Sequence, residues 1–413
     1  MKRGYLSQYF EGVALKRLSA VEADVTRSNQ HEFNGVGSLR SILGESSGNV
    51  RFAAKFLYLS DQDDEPVIED GFLTWYDARQ KAREERGVKR CEYRLYFPTN
   101  RVTQCAAEGD LLVIARRTDG GLLAIVAKKD TTIERQLMWL FGFSELTHPG
   151  FLVKSELETE QDRIGFAARV ILEQIGIEPE EEEAPNYLED MLDRFGGGFP
   201  KTAEFSAYAR SKIPDVSSRD DPDAALVSWM EWEEILFRTL EKHLLGKELR
   251  NLINSGIEDI EPFIRLVQGA LQRRKSRAGS ALENHLEQVF TDHGVTYTRS
   301  GVTENKLKPD FIFPGISDYH NADFPQERLT MLAAKSTCKD RWRQILNEAA
   351  RIPVKHLLTL EPSISENQTK EMKENGVQLV LPRSLHQTYT EAQQGWLMDV
   401  KSFIKLVKKR QNA

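Results

Sequence analysis

The sequence predicts a multidomain α+β chain. A β-rich N-terminal part is followed by a charged connection and a C-terminal α/β part with a mixed sheet flanked by helices. Three observations predict this. Short apolar, aromatic and β-branched runs recur between residues 51 and 127, separated by turn signals. Residues 178–185 read EPEEEEAP, a stretch whose like charges repel and whose prolines break helix and sheet. Beyond residue 224, helical patterns give way to strands alternating with helices. At 413 residues the chain is too long for one ordinary core and suits two or three domains.

In chain order, strands are expected over 51–60, 93–97, 110–116 and 121–127, the last two joined across Asp119-Gly120-Gly121. A helix follows over 131–141, and the pattern is that of a small barrel or sandwich occupying residues 1–150. Residues 158–175 read as an amphipathic helix, and Gly196-Gly197-Gly198-Phe199-Pro200 as a flexible break, so residues 151–200 are expected to connect the domains. The rest, 201–413, opens with helices over 224–245 (aromatic face Trp229, Trp232, Phe237), 262–272 and 278–293. Strands over 310–313, 329–335, 354–360 and 377–381 follow, with helices over 340–350 and 365–375.

Composition excludes several classes. The start MKRGYLSQYFEGVALKRLSAVE has no continuous apolar core, so it is no secretory signal. Nothing approaches the roughly 20 apolar residues of a membrane helix. Cys91, Cys105 and Cys338 are odd in number and lack CxxC spacing, which predicts a reducing cytoplasm and neither disulfide framework nor zinc site. A net charge of -7 argues against indiscriminate coating of nucleic acid, yet cations cluster locally. Residues 79–94 hold seven basic side chains (Arg79, Lys81, Arg83, Arg86, Lys89, Arg90, Arg94) against three acidic ones. Arg273-Arg274-Lys275-Ser276-Arg277 forms a second knot, and Lys339, Arg341 and Arg343 a third.

The chemistry concentrates in residues 308–348. Hydrolysing a phosphodiester requires an activated water and compensation of charge on the phosphorane-like transition state. Carboxylate-held Mg²⁺ and a lysine can supply both. Asp310, closing Lys308-Pro309-Asp310 before Phe311-Ile312-Phe313, would be the central metal ligand, and Lys335 at the end of the next strand the catalytic cation. The usual nuclease pattern is Pro-Asp followed by Glu-x-Lys, but here Ala333 stands two before Lys335. Glu348, on the helix after the lysine strand, can return the missing carboxylate. Glu283, on a helix with a Leu282, Leu286, Val289 and Phe290 face, is the fourth candidate. Each has a bland alternative: Pro-Asp as a turn, Lys335 reaching solvent, Glu348 paired with Arg351, Glu283 with Lys275 or Arg277. Such surface pairs contribute about 0–1 kcal/mol. His285 and His320 lack an evident carboxylate partner and are expected to pack or touch phosphate.

Lys339, Asp340, Arg341 and Arg343 lie within eight residues of Lys335. Arg and Lys donate to guanine O6 and N7, and Asp accepts from cytosine N4, so the cluster has the groups to read G·C pairs. The alternative is a charged helix start capped by Asp340, although a helix N-terminus disfavours cations. Trp342 is expected to anchor packing.

The segments RRKSRAGSALENHLEQVFTDHG, KPDFIFP with YHNADFP, and MLAAKSTCKDRWRQILNEA resemble the EcoRII-type (type IIE) restriction endonucleases in order and residues. The similarity continues through VKHLLTL and GVQLVLPRSLH and covers about 200–413. The resemblance implies a restriction-endonuclease-like PD-(D/E)xK domain whose motif glutamate is displaced onto the next helix. It implies an active site of Glu283, Asp310, Lys335 and Glu348, with Mg²⁺ on Asp310, Glu348 and Glu283. It also implies that Lys339, Asp340 and Arg341 read a CC…GG-type site in double-stranded DNA, with flipped central bases, and that a cognate DNA methyltransferase exists. LKRLSAVEADVTRSNQHEFNGVG resembles the opening of the family's effector domain, a DNA-binding β-pseudobarrel. One DNA arm would use Asn29, Gln30, His31 and Asn34, the other Arg79, Lys81, Arg83, Arg86 and Arg90. A palindromic target implies a homodimer. The alternative is a catalytically inactive, dimeric sequence-specific DNA-binding protein, against which the intact set of four candidates counts.

Overall fold

The computed structural model describes residues 2, 4–24, 31–46, 48–61, 66–86, 89–146, 148–179, 184–254 and 260–412, apart from the side chains of Ala82, Pro185, Lys339 and Asp340. Two compact units emerge, Met1–Glu178 with Pro362–Gln368, and Pro179–Glu361 with Thr369–Ala413.

In the first unit eight strands form one sheet: β1 (Phe10–Arg17), β2 (Glu32–Phe33), β3 (Val50–Leu59), β4 (Val67–Asp77), β5 (Tyr93–Tyr96), β6 (Leu111–Arg117), β7 (Leu122–Ala127) and β8 (Leu152–Lys154). Their order is β2-β5-β4-β3-β7-β6-β1-β8. β3 and β7 run parallel and the other neighbours antiparallel. Alternate residues of β6 and β7 enter two different cores, as the two-residue period of a strand requires. Val113, Ala115, Leu123 and Ile125 meet the helices Thr132–Phe141 and Phe166–Gln174 on one face. Leu112, Ile114, Leu122 and Ala124 join Phe33, Phe56, Trp75 and Phe151 on the other. The sheet is curled: Phe151 N donates to Gly35 O at 3.4 Å, and a Cβ on Gly35 would stand 2.6 Å from the Gly150 Cα.

Two long strands, β1 and β4, were not anticipated. β1 carries Lys16 inward, 1% exposed, neutralised by buried Glu22 at 2.6 Å. Residues 151–175, expected in the connection, lie inside the first unit: β8 pairs with β1, and Leu157, Ala168, Ile171, Leu172 and Ile175 fill its core. The helix expected over 158–175 is confined to Phe166–Gln174 after a single 3₁₀ turn, because Asp162 is drawn into a buried pair with Lys154.

The second unit opens with helices Leu188–Phe195, Thr202–Ser211, Pro222–Asn254 and Glu261–Asp292 around Met191, Phe205, Tyr208, Phe237 and Leu240. The two helices expected over 262–272 and 278–293 are one, 32 residues long. The helical cost of Gly279, about 1 kcal/mol, is offset by side chains of the basic knot that turn inward. Arg274 pairs with Glu241 at 2.7 Å, Arg277 donates to Pro200 O at 3.1 Å, and Arg273 covers the Phe199 ring. The three arginines of that knot pack, while Lys275 is exposed.

Its mixed sheet has the order β13-β12-β11-β10-β9, from β9 (Thr298–Arg299), β10 (Phe311–Phe313), β11 (Thr330–Lys335), β12 (Lys355–Thr359) and β13 (Val377–Val380). β11, β12 and β13 are parallel, while β10 is antiparallel to both neighbours. The central strands are buried on both faces, which explains their legibility as continuous apolar runs. Phe290 packs edge-on against Phe311 and Phe313, and Phe403 of the helix Val400–Gln411 against Phe313. The expected helix over 340–350 is a 3₁₀ helix, Lys339–Asn347. Among the described residues no helix is long and apolar enough to cross a membrane.

His356 on β12 is 1% exposed beside the Phe403 ring, and burial, with Arg410 nearby, pushes its imidazole down to about 4. A depressed histidine contributes stability that is complete above the unfolded value of 6.5 and is lost as pH falls toward 4. Wild type is therefore expected to lose on the order of 3 kcal/mol more than His356→Phe between neutral pH and pH 4, measured by denaturant unfolding. Identical pH profiles for the two proteins would contradict the buried neutral imidazole.

Candidate active site

The site grows from the antiparallel pairing of β10 with β11. Phe311 faces Leu332, and extending that register by one residue sets Asp310 across from Ala333. Asp310 Oδ2 accepts the Ala334 amide at 2.7 Å and the Lys335 ammonium at 2.9 Å. The pair is only partly exposed, 24% for the lysine side chain and 15% for the aspartate. An acid and a lysine remote in sequence are thus locked at one end of the sheet.

Glu348 follows the 3₁₀ helix directly, its amide donating to Ile345 O at 3.0 Å. Burial pushes its carboxyl up from the ordinary range, Lys335 and Lys355 oppose that shift, and the Asp310 charge adds to it. Asp310, Lys335 and Glu348 therefore sense one another. Glu348 Oε2 is buried without a hydrogen-bond partner among the described residues. The pairing with Arg351 that the sequence allowed is absent, since the Arg351 guanidinium donates to the carbonyls of Tyr319, Asn321 and Phe324.

Glu283 is held elsewhere. Arg299 on β9 donates to Glu283 Oε2 at 2.8 Å and to Glu287 Oε2 at 2.8 Å. Lys275 and Arg277 are not its partners. Among the described residues no group of three or more His, Cys, Asp and Glu is arranged to hold a metal ion. Glu283, expected in the metal set with Asp310 and Glu348, is engaged by Arg299. Asp310 and Glu348 still suit Mg²⁺, which binds through one or two carboxylates and keeps sites for water and phosphate. The unpartnered buried oxygen of Glu348 is what such a cation would satisfy.

Nearby, Arg341 is exposed, Arg343 pairs with Glu371 at 2.6 Å, and Trp342 is a buried anchor, 1% exposed. The side chains of Lys339 and Asp340 lie outside the described residues; the cap position belongs to Cys338. His285 is fully buried with the Glu233 carboxylate 3.0 Å away, a partner the sequence did not reveal, while His320 is exposed and contacts Val302 O at 2.9 Å.

In the first unit Asn29 and Gln30 lie outside the described residues. His31 leans on Phe97 and reaches Thr99, and the Asn34 side chain is exposed. The Asn34 backbone is fixed by the buried Lys16–Glu22 pair, its carbonyl accepting Lys16 Nζ at 3.1 Å and its amide donating to Glu22 at 2.6 Å. The basic stretch divides in two. Arg79 pairs with Glu92 at 2.6 Å, Arg83 with Asp77 at 2.8 Å and Arg94 with Glu32 at 2.6 Å. Lys81, Arg86 and Arg90 are exposed and make no ion pair with a described residue. Arg299, Lys355 and the Lys16–Glu22 pair escaped the sequence reading. Each is a charge on or beside a strand, where only tertiary pairing reveals a role.

Residues 237–404 match the family model described as EcoRII C terminal. The type II restriction enzyme EcoRII of Escherichia coli is 44% identical over 208 residues, 50% of this chain and 50% of that enzyme. The chain thus spans about half the length of this curated relative. Among solved structures, metal-depleted Ecl18kI in complex with uncleaved DNA is similar at 19% identity, covering 55% of this chain and 85% of that one, with a TM-score of 0.46. The restriction endonuclease PspGI–substrate DNA complex is similar at 17% identity, covering 52% and 94%, with a TM-score of 0.43. Over residues 237–404, this chain is thus similar to the C-terminal part of the EcoRII-type restriction endonucleases.

Proposed function

We propose that the chain is a type II site-specific deoxyribonuclease, a phosphodiester hydrolase acting on double-stranded DNA at a short CC…GG-type site with Mg²⁺. The observation that carries this is the Asp310–Lys335 pair beside the partnerless buried carboxylate oxygen of Glu348. Asp310 and Glu348 would hold the cation, which when bound supplies a water of lowered pKa and charge compensation at the phosphate. Lys335, oriented by Asp310, stands ready to neutralise the scissile phosphate or align the attacking water. Glu348 must be ionised to serve. Glu283, tied to Arg299, fixes β9 beside the site and stays outside the metal set.

Arg341, with Lys339 and Asp340, would read the C and G bases, and two copies related by a twofold axis would address the two strands. The curled first unit, read as a pseudobarrel, would bind effector DNA through His31, Asn34, Lys81, Arg86 and Arg90. Arg79 and Arg83 serve instead to hold the arm's base through Glu92 and Asp77. By the same family likeness the enzyme would act in the cytoplasm beside a cognate methyltransferase.

Asp310→Ala and Lys335→Ala should each abolish Mg²⁺-dependent plasmid cleavage while circular dichroism stays native; full cleavage by either would sink the assignment. Glu348→Gln should also lose cleavage, yet stabilise the metal-free protein by about 1 kcal/mol at neutral pH. The sign follows from the raised carboxyl: its ionisation as pH rises works against the fold, so the gain should vanish in acid. Equal unfolding midpoints at neutral pH would contradict it. The triple variant Lys81→Ala, Arg86→Ala, Arg90→Ala should lower the slope of log affinity against log salt by about 0.9 for each phosphate it no longer neutralises, read by fluorescence anisotropy on duplex DNA. An unchanged slope removes these residues from the interface.

A further inference from the structure

We propose that Lys355 is a positioning residue that fixes the turn presenting Glu348 to the metal. This rests on the reading of Glu348 as a ligand. The chain leaves the 3₁₀ helix with Glu348 extended (φ −79°, ψ 143°) and then turns through Ala349 at φ +48°. That left-handed conformation is unfavourable for a residue with a Cβ, and it persists only where the surroundings enforce it. Ala349 is fully buried.

The enforcing group is the Lys355 ammonium. Lys355 opens β12, is 5% exposed, and donates to Ala349 O and to Ile352 O, each at 2.6 Å. Its backbone is pinned in turn, the amide donating to Gly376 O at 2.9 Å. A second fastening comes from Glu304, which accepts the Ala350 amide at 3.3 Å and is itself held by the Tyr319 hydroxyl at 2.7 and 2.6 Å. Burying an ammonium is expensive, and an apolar side chain would fill the start of a strand at less cost. A cation here grips two carbonyls of the turn, which packing alone does not need.

Tb³⁺, a luminescent probe of carboxylate-held cation sites, is titrated into the full-length protein and displaced by Mg²⁺. Glu348→Gln should abolish the displaceable binding; if binding survives, the ligand reading of Glu348 fails. With that control satisfied, Lys355→Met should weaken Tb³⁺ binding about tenfold or more, the usual loss when a group supporting a metal ligand is removed. Unchanged affinity overturns the proposal while leaving Glu348 as ligand. Adding Ala349→Gly to Lys355→Met should recover about threefold, since glycine takes the left-handed turn without being held there. No recovery also overturns it, because a role in general packing would not be rescued at residue 349. Should Lys355→Met fail to fold by circular dichroism, Lys355→Gln replaces it in the same titration, with about threefold weaker binding expected and none contradictory.

Discussion

The pairing of β10 with β11 is the constraint on which the site depends. It sets Asp310 across from Ala333, so one carboxylate oxygen takes both the Ala334 amide and the Lys335 ammonium. Slipping the register by one residue would turn every side chain of β11 to the opposite face and part the acid from the lysine. The register is held by apolar burial: Phe311 and Phe313 lie against Phe290 on one side of a strand that water does not reach. Chemistry at the end of the sheet is thus bought with aromatic packing in its middle.

Around that pair the protein accepts electrostatic cost. Glu348 is half-buried, with one oxygen that meets no hydrogen-bond partner among the described residues and a carboxyl raised out of its ordinary range. Lys355 is buried with carbonyls for partners. A chain selected for stability alone would carry neither. The same logic separates Glu283, which shares Arg299 with Glu287, from Glu348, which has no ion pair with a described residue.

Much of the C-terminal unit was legible in the sequence. Continuous apolar runs announced the central strands, and Pro309-Asp310 followed by a strand ending on Lys335 announced the acid–lysine pair. Glu348 could be named as a candidate, but its place just beyond a 3₁₀ segment, with no α-helix to carry it, could not, because 3₁₀ and α segments share apolar spacing over so few residues. Arg299 stayed hidden because β9 is two residues long and leaves no periodic trace. β1 escaped because its inward Lys16 breaks the apolar alternation, and only its neutralisation by Glu22 makes that burial tolerable. Runs of cations were the least reliable signal. The arginines at 273, 274 and 277 serve helix packing, and the cations at 79–94 divide between internal ion pairs and an exposed set.

The most direct test is to incubate the full-length protein with plasmid DNA and Mg²⁺, beside a control containing EDTA, and to sequence the DNA ends. Defined ends at CC…GG-type sites, formed only with Mg²⁺, are the expected result. DNA that is retarded on a gel but left uncut under both conditions would contradict the nuclease and leave a binding protein in its place.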